Sequence, residues 1–414
     1  MNPRQSNILD PSYGQDGFAR LRASAAWVHA ITAVPGGAFC CGASTPKRYT
    51  CFRLTDQGEL DPTWGAEGAY DGQFIPGHRA VGTGLLPLVD GKLLMLALHT
   101  ERYGSRRKDI PALVRFNERG RPDNTFGDSG HMILHGLHTG DAGPAQARMA
   151  LIAGQDRRPR ESGGERIYLV INYPVGTGIV VRINVDGSLD TTFNGNGIKY
   201  MTSPSGAPIR ATALLHDAGS DRLLICGEIL EGVSRPCVMR LTADGQEDPS
   251  FGDGGHAVLR DIEGRFNGLA LRDGHEIICV GSTGRSQQLA MVHGFDETGA
   301  DLPGFFPGST DFAGVGGWWS HVAIDSASNA LVTLGLYASP DADVVVGRFL
   351  ADGRIDSGFA GGQGWANVPM ANGVEIEGGL ALQEDGNALV GGVDVGSGDV
   401  DSRGFVLRCL TGRP

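Results

Sequence analysis

LDPTWGAEG, residues 60–68, decides the fold, because the chain keeps returning to it. Close variants are LDPSYGQDG at 9–17, PDNTFGDSG at 122–130, LDTTFNGNG at 189–197 and EDPSFGDGG at 247–255. Two looser forms follow, DLPGFFPGS at 301–309 and IDSGFAGGQG at 355–364. Aligned on Asp10, Asp61, Asp123, Asp190, Asp248, Asp301 and Asp356, successive copies lie 51 to 67 residues apart. A period of that size is a better guide to architecture than the length of 414 residues, which alone suggests two or three domains.

Three features separate successive motifs, always in the same order. A short apolar-alternating run comes first, such as HMIL or HAVL. A pair of runs joined by a tight turn follows, as in LALRDGHEIICVG at 269–281 and LLPLVDGKLLMLA at 85–97. A run ending near an arginine and a turn comes last: FRLTDQG (52–58), VRFNERG (114–120), VRINVDG (181–187), MRLTADG (239–245) and GRFLADG (347–353). Gly-bounded runs of Val, Ile and Leu, with no sustained helical periodicity, read as four short strands per unit. Four antiparallel strands at this period describe a propeller blade, whose faces are covered only when blades stack around an axis. The expected fold is all-β, a seven-bladed propeller over residues 1–414 as one domain, with motif starts near 9, 60, 122, 189, 247, 300 and 355. The chain opens on a motif without its preceding Arg strand and ends on that strand, GFVLRCLTG (404–412). Pairing the two completes the seventh blade and leaves no open sheet edge.

The motif has its own logic. Asp-Pro starts a turn, because Asp accepts backbone N–H bonds and Pro fixes φ. The aromatic residue, Tyr13, Trp64, Phe126, Phe193, Phe251 or Phe359, has the size to plug the gap between blades. An arginine stands eight residues before the Asp in Arg53/Asp61, Arg115/Asp123, Arg182/Asp190, Arg240/Asp248 and Arg348/Asp356. Arg408 supplies the partner of Asp10 across the closure. Bidentate ion pairs bracing each turn are expected, a structural role rather than a ring of catalytic carboxylates, since the feature recurs in nearly every unit.

These phrases, with the following DG hairpins and VRxxxDG strands, resemble the bacterial delta-60 repeat family over residues 9–412. The likeness is weak in the sixth unit, where Gly294 stands in place of the Arg and DLPGFF distorts the motif. The resemblance implies a propeller. It brings no shared catalytic residues and no agreed activity.

The totals narrow the rest. Apolar residues make up 41% and glycine is very high at 65, as many tight turns require. No apolar run reaches the roughly 20 residues of a membrane helix. The first residues, MNPRQSNILDPSYGQ, contain no apolar h-region, which points to a cytoplasmic protein or to export without a classical signal peptide. A net charge of −12 argues against a nucleic-acid partner. The seven cysteines, Cys40, Cys41, Cys51, Cys226, Cys237, Cys279 and Cys409, sit in apolar runs and read as core thiols. Cys40/Cys51 and Cys226/Cys237 share a spacing of 11 that also permits a cross-strand disulfide.

Function is expected on loops. Antiparallel order sends the short hairpin turns and the motifs to one face and the connections of varied length to the other, where binding is normally built. Three stretches stand out on that second face. HTERYGSRRKDIP (99–111) is basic and suits an acidic partner. HMILHGLHTGD (131–141) carries His131, His135 and His138, but no Cys or Glu completes a metal-ligand set. FFPGSTDFAGVGGWWSH (305–321) concentrates Phe312, Trp318, Trp319 and His321. A basic loop at 154–166, with Arg157, Arg158 and Arg160, interrupts a hairpin turn on the first face. GDSGH at 127–131 is only the motif's FGxxG turn, since FGDGGH occupies the same place at 251–256. The leading expectation is a non-enzymatic binding scaffold for a protein or glycan, with Trp318, Trp319, Tyr103, Arg106 and Arg107 as contacts and no cofactor or metal. The alternatives are a metal-assisted hydrolase or lyase in the central channel, and a secreted host-directed or toxin-associated protein.

Overall fold

Seven antiparallel sheets, numbered here as blades 1 to 7, succeed one another along the chain. Blades 1 to 6 span 25–72, 79–133, 151–201, 209–258, 264–310 and 317–367, each of four strands in sequence order; blade 7 contributes three strands within 374–409. The first strand of every blade is innermost. Ala25–Val34 touches Arg79–Pro87, which touches Leu151–Gly154, and so on through Ile209–Asp217, Gly264–Arg272, Gly317–Ile324 and Val374–Leu382 back to Ala25–Val34. The contacts form a closed ring, the seven-bladed propeller that the repeat implies. The computed structural model describes residues 8–21, 25–44, 48–88, 90–103, 106–135, 137, 151–154, 166–173, 177–272, 275–284, 288–312, 314–337, 343–368, 374–395 and 403–412.

Second and third strands are buried on both faces, so their sequences run apolar without alternating. Gly37–Ser44 and Glu276–Thr283 are buried along nearly their whole length. Seven hydrophobic clusters fill the gaps between successive blades; the one between blades 3 and 4, for example, joins Tyr168, Val180 and Phe193 to Leu214, Ile225 and Met239. All seven cysteines are buried and free. Cys40 stands opposite Phe52 and Cys226 opposite Val238, so the pairs spaced by 11 do not face each other. Burial pushes the thiols up, that of Cys226 to about 12, which keeps them unreactive.

The recurrent motif joins the third strand of a blade to its short outer strand, so each sheet begins one strand later than the sequence unit. The motif's aromatic residue lies against a glycine in the turn that follows the next blade's third strand. An added Cβ on Gly120 would meet the Trp64 ring at 2.5 Å, and on Gly245 the Phe193 ring at 2.8 Å; Gly58 faces Tyr13 and Gly299 faces Phe251 in the same way. These turn glycines also have positive φ, so two independent constraints fix them. The residue after the aromatic then donates its N–H to that turn: Gly65 to Arg119 O at 2.8 Å, Asn194 to Asp244 O at 2.7 Å, Gly252 to Thr298 O at 2.7 Å.

The arginines reinforce this seam. Ion pairs join Arg53 to Asp61 (3.1 Å), Arg115 to Asp123 (2.9 Å), Arg182 to Asp190 (2.8 Å), Arg240 to Asp248 (3.1 Å), Arg348 to Asp356 (3.3 Å) and Arg408 to Asp10 (3.2 Å). The pairing is not the bidentate fork expected. In blades 2 to 4 the guanidinium divides itself: one nitrogen faces the Asp, one donates to the motif's Thr or Ser, and one crosses to a carbonyl of the next blade, Val185, Ala243 or Glu297. It also lies over the motif aromatic, 4.6 to 5.1 Å from the ring centroid. Burial works to raise the carboxyls of Asp123 and Asp248. Hydrogen bonds from Thr125 and Ser250, with the neighbouring cations, outweigh it and hold both at about 2.

Residues 8–21 supply the outer strand that blade 7 lacks. Asp10 N donates to Arg408 O (2.9 Å), Arg408 N to Gly17 O (3.0 Å) and Ala19 N to Val406 O (2.8 Å). The same bonds occur inside blade 1, where Asp61 N donates to Arg53 O and Arg53 N to Gly68 O, both at 2.9 Å. The closure therefore has the geometry of any other blade.

One device was not visible in the sequence. Six inner strands carry a bulge, at His29, Thr83, Thr212, Asn267, Ser320 and Gly378. A bulge frees a carbonyl from its ladder, and neighbouring blades use it: Thr212 Oγ1 donates to Phe266 O (2.8 Å) and Asn267 Nδ2 to Trp319 O (2.9 Å).

Candidate functional site

The antiparallel order separates two faces. Hairpin turns and motifs share the first, which is occupied by the blade-to-blade seam. The links between second and third strands, and between blades, share the other, which is the loop face.

On the loop face, blade 2 carries the longest hairpin among the described residues. Its second and third strands, Leu93–Tyr103 and Arg106–Phe116, are 11 residues each, against 10 and 10 in blade 4, 8 and 8 in blade 1 and 7 and 6 in blade 3. They stay paired to the tip, where Tyr103 stands opposite Arg106. The inner strand stops at Arg79, opposite Thr100, and the outer strand pairs only with 112–114. Among the described residues, 101–103 and 106–108 therefore form a two-stranded arm with no strand paired to either edge. Arg102 stands directly opposite Arg107, and Glu101 opposite Lys108. Arg102 and Arg107 are exposed, as are Arg48 and Arg79 at the same end of blades 1 and 2. Among the described residues none of Arg48, Arg79, Arg102, Arg107 and Lys108 has an ion pair, whereas most other arginines hold a carboxylate. The side chains of Tyr103 and Arg106 lie outside the described residues.

Beneath the arm, blades 1 and 2 bring together ring systems that the sequence scatters. Tyr49 Oη lies 2.8 Å from His131 Nε2, and His131 Nδ1 lies 3.1 Å from Ser129 O. Phe74 packs edge-on to His131, and His78 stacks on His99 at 5.3 Å. The Glu101 carboxylate is 3.6 Å from His99 Nε2 and 3.8 Å from the exposed His135. Burial lowers the His99 pKa against the opposing pull of Glu101. His131 and His135 thus diverge to different partners, and His138 lies outside the described residues. Among the described residues no three His, Cys, Asp or Glu side chains are placed to share a metal ion. His78, His99 and Glu101 were not singled out in the sequence; the basic stretch that begins at His99 was a signal for the last two, and His78 had none.

The aromatic stretch at blades 5 and 6 requires a correction. Trp319, expected as a surface contact, is 0% exposed. It packs edge-on to Phe312 and Phe349 between the two blades, which removes it from any surface site. Trp318 is half-buried against the cluster between blades 6 and 7. The alternation of an inner strand explains the split: successive side chains enter opposite seams. Phe306, 53% exposed, is instead the open aromatic here, with Arg354 over its ring at 5.0 Å. The loop carrying Arg157, Arg158 and Arg160 lies outside the described residues.

Comparison with known proteins supports the fold and is silent on activity. The family described as "Domain of unknown function (DUF5122) beta-propeller" matches residues 172–193 and 220–251. The first segment runs from the end of a second strand through the third to the motif aromatic Phe193, and the second through both second and third strands to Phe251. No curated protein matches the chain. Among solved structures, Drosophila Semaphorin 2a is 7% identical with a TM-score of 0.53, over 98% of this chain and 77% of that one. A protein of unknown function from Dyadobacter fermentans is 9% identical with a TM-score of 0.48, over 79% and 93%. A PQQ-bound aldose sugar dehydrogenase from Streptomyces coelicolor is 14% identical with a TM-score of 0.41, over 79% and 93%. At these identities the likeness concerns architecture alone: the chain is a seven-bladed β-propeller that contains a match to a propeller family of unknown function.

Proposed function

We propose that the protein is a non-enzymatic binding scaffold whose loop face, led by the blade 2 arm, holds an anionic protein or glycan. One observation carries the reading. On a chain of net charge −12, a hairpin end that no described strand flanks holds Arg102 against Arg107, and neither has an ion pair among the described residues. Like charges directly opposite each other on a sheet cost stability. An arrangement kept at that cost, on the face where loops vary, fits a surface awaiting negative charge. Tyr103, Arg106 and Arg107 are the proposed contacts, with Trp318 at the rim. Trp319 serves the seam between blades.

The test compares faces. Candidate acidic proteins and a glycan array are probed with the intact chain, with Arg102→Gln/Arg107→Gln, and with Arg119→Gln/Arg121→Gln on the opposite face. Capture lost only in the first variant supports the reading. Capture that follows Arg119 and Arg121 overturns it.

A further inference from the structure

We infer that the arm's partner is a carboxylate-bearing polysaccharide, a polyuronate chain lying outward from the channel rim along blade 2. The inference rests on the scaffold reading and names its ligand class. Three features at one end of blades 1 and 2 lie in sequence. On the inner strand of blade 1, half-buried Trp27 stacks on His29, with centroids 5.3 Å apart and planes at 23°. Next is exposed Arg79, whose charge acts on His29. Arg79 stands opposite Thr100, and Arg102 lies two residues further along that strand, about 7 Å at the usual strand rise. Arg107 faces Arg102 across the arm.

Each feature matches part of one ligand. Trp27 offers a flat ring for the apolar C–H face of a sugar. His29 adds ring surface without charge, because burial and then Arg79 lower its pKa to about 4. The guanidinium groups offer planar forks that suit carboxylates. A row of cations spread along the rim and the arm suits a chain with a repeated carboxylate better than a single small anion. Two acidic groups lie on the arm: Asp109 accepts from Thr100 Oγ1 at 2.5 Å, and Glu101 faces the histidines on the other side of the strand. An acidic peptide would use the cations but has no need of the Trp27 platform.

The experiment is calorimetry on the full chain with polygalacturonate, poly-L-glutamate and neutral dextran. Polygalacturonate is expected to bind, with affinity falling about tenfold or more between roughly 50 and 300 mM salt as the charges are screened. Poly-L-glutamate is expected to bind about tenfold more weakly, and dextran not at all. Arg102→Gln/Arg107→Gln should lose about tenfold or more in affinity while Tm holds or rises slightly, because opposed like charges are removed. Trp27→Ala should weaken polygalacturonate binding several-fold and leave poly-L-glutamate unchanged. Equal affinity for both polymers, with Trp27→Ala neutral, would make the occupant an acidic protein and overturn the inference, while the scaffold reading stands. Failure of the wild-type chain to bind polygalacturonate at low salt overturns it as well. Arg102→Gln/Arg107→Gln that leaves capture of every partner intact would remove the arm itself.

Discussion

The seams between blades 3 and 4 and between blades 5 and 6 solve one problem with different residues. At the first, Arg182 pairs with Asp190, donates to Thr192 and reaches the carbonyl of Ala243 in the next blade. At the second, Gly294 and Leu302 occupy the positions of that Arg and Asp, as their backbone shows: Leu302 N donates to Gly294 O as Asp190 N does to Arg182 O, each at 3.0 Å. The motif there is registered on Leu302, one residue later than the sequence alignment on Asp301, so both charges have gone together. Asp301 turns outward to His293, 3.0 Å away. The cross-blade carbonyl, now Ala351 O, is still satisfied, because Arg272 from the inner strand donates to it and pairs with Glu276. Phe305 still presses on Gly353, and Phe306 N still donates to Asp352 O at 2.7 Å. What the seam requires is the plugged ring and the capped carbonyl; the source of the guanidinium is free.

This contrast can be broken at its strongest point first. Arg182→Ala leaves Asp190 without its cation and bares the Ala243 carbonyl, so a loss of about 3 kcal/mol in urea unfolding is expected. A change under about 1 kcal/mol would show that the ring alone holds the seam. Gly294→Ala should cost about 2 kcal/mol, because the new Cβ would lie 2.9 Å from the Phe305 ring with Leu302 beside it. Arg272→Ala should cost about 1 kcal/mol, since Glu276 is partly exposed and only the carbonyl is orphaned. If it costs nothing, Arg272 is not the substitute described here.

The smallest effect is in acid. Asp123 and Asp248 sit at about 2 in the fold, against an ordinary value of 3.8. A depressed carboxyl gives stability that is complete above its unfolded pKa and lost as pH falls through the folded one. Tm should therefore decline between about pH 4 and pH 2, and Asp123→Asn/Asp248→Asn should start lower and decline less. Leu302, which stands where the other seams have an Asp, has no carboxyl to add to this slope. An identical slope in that variant would place the acid sensitivity elsewhere.

Much of the ring was legible because its rules are local. The motif, its aromatic plug, the turn glycines and the Arg–Asp spacing all fall within a few residues of one another. What escaped needed contacts between distant segments. Nothing near Arg272 announces that it will replace an arginine missing from position 294. The inner-strand bulges obey the neighbouring blade, and the histidines under the arm meet across 78, 99, 131 and 135. Trp319 lies in a seam rather than on the surface for a related reason. Adjacent tryptophans beside glycine resemble a surface platform, but strand alternation sends them into two different seams. The arm's basic residues were visible, while the absence of flanking strands depends on where the inner and outer strands stop.

The pairing of residues 8–21 with 403–409 also sets the order of events during synthesis. Residues 8–21 leave the ribosome long before residues 403–409, so they have no sheet to join until that later segment emerges. Blades 1 to 6 must persist meanwhile as an open arc whose two flanks expose the apolar surface that later becomes the seam. Translation speed, and any chaperone that covers those flanks, should therefore govern the yield of native protein more than the stability of the finished ring does.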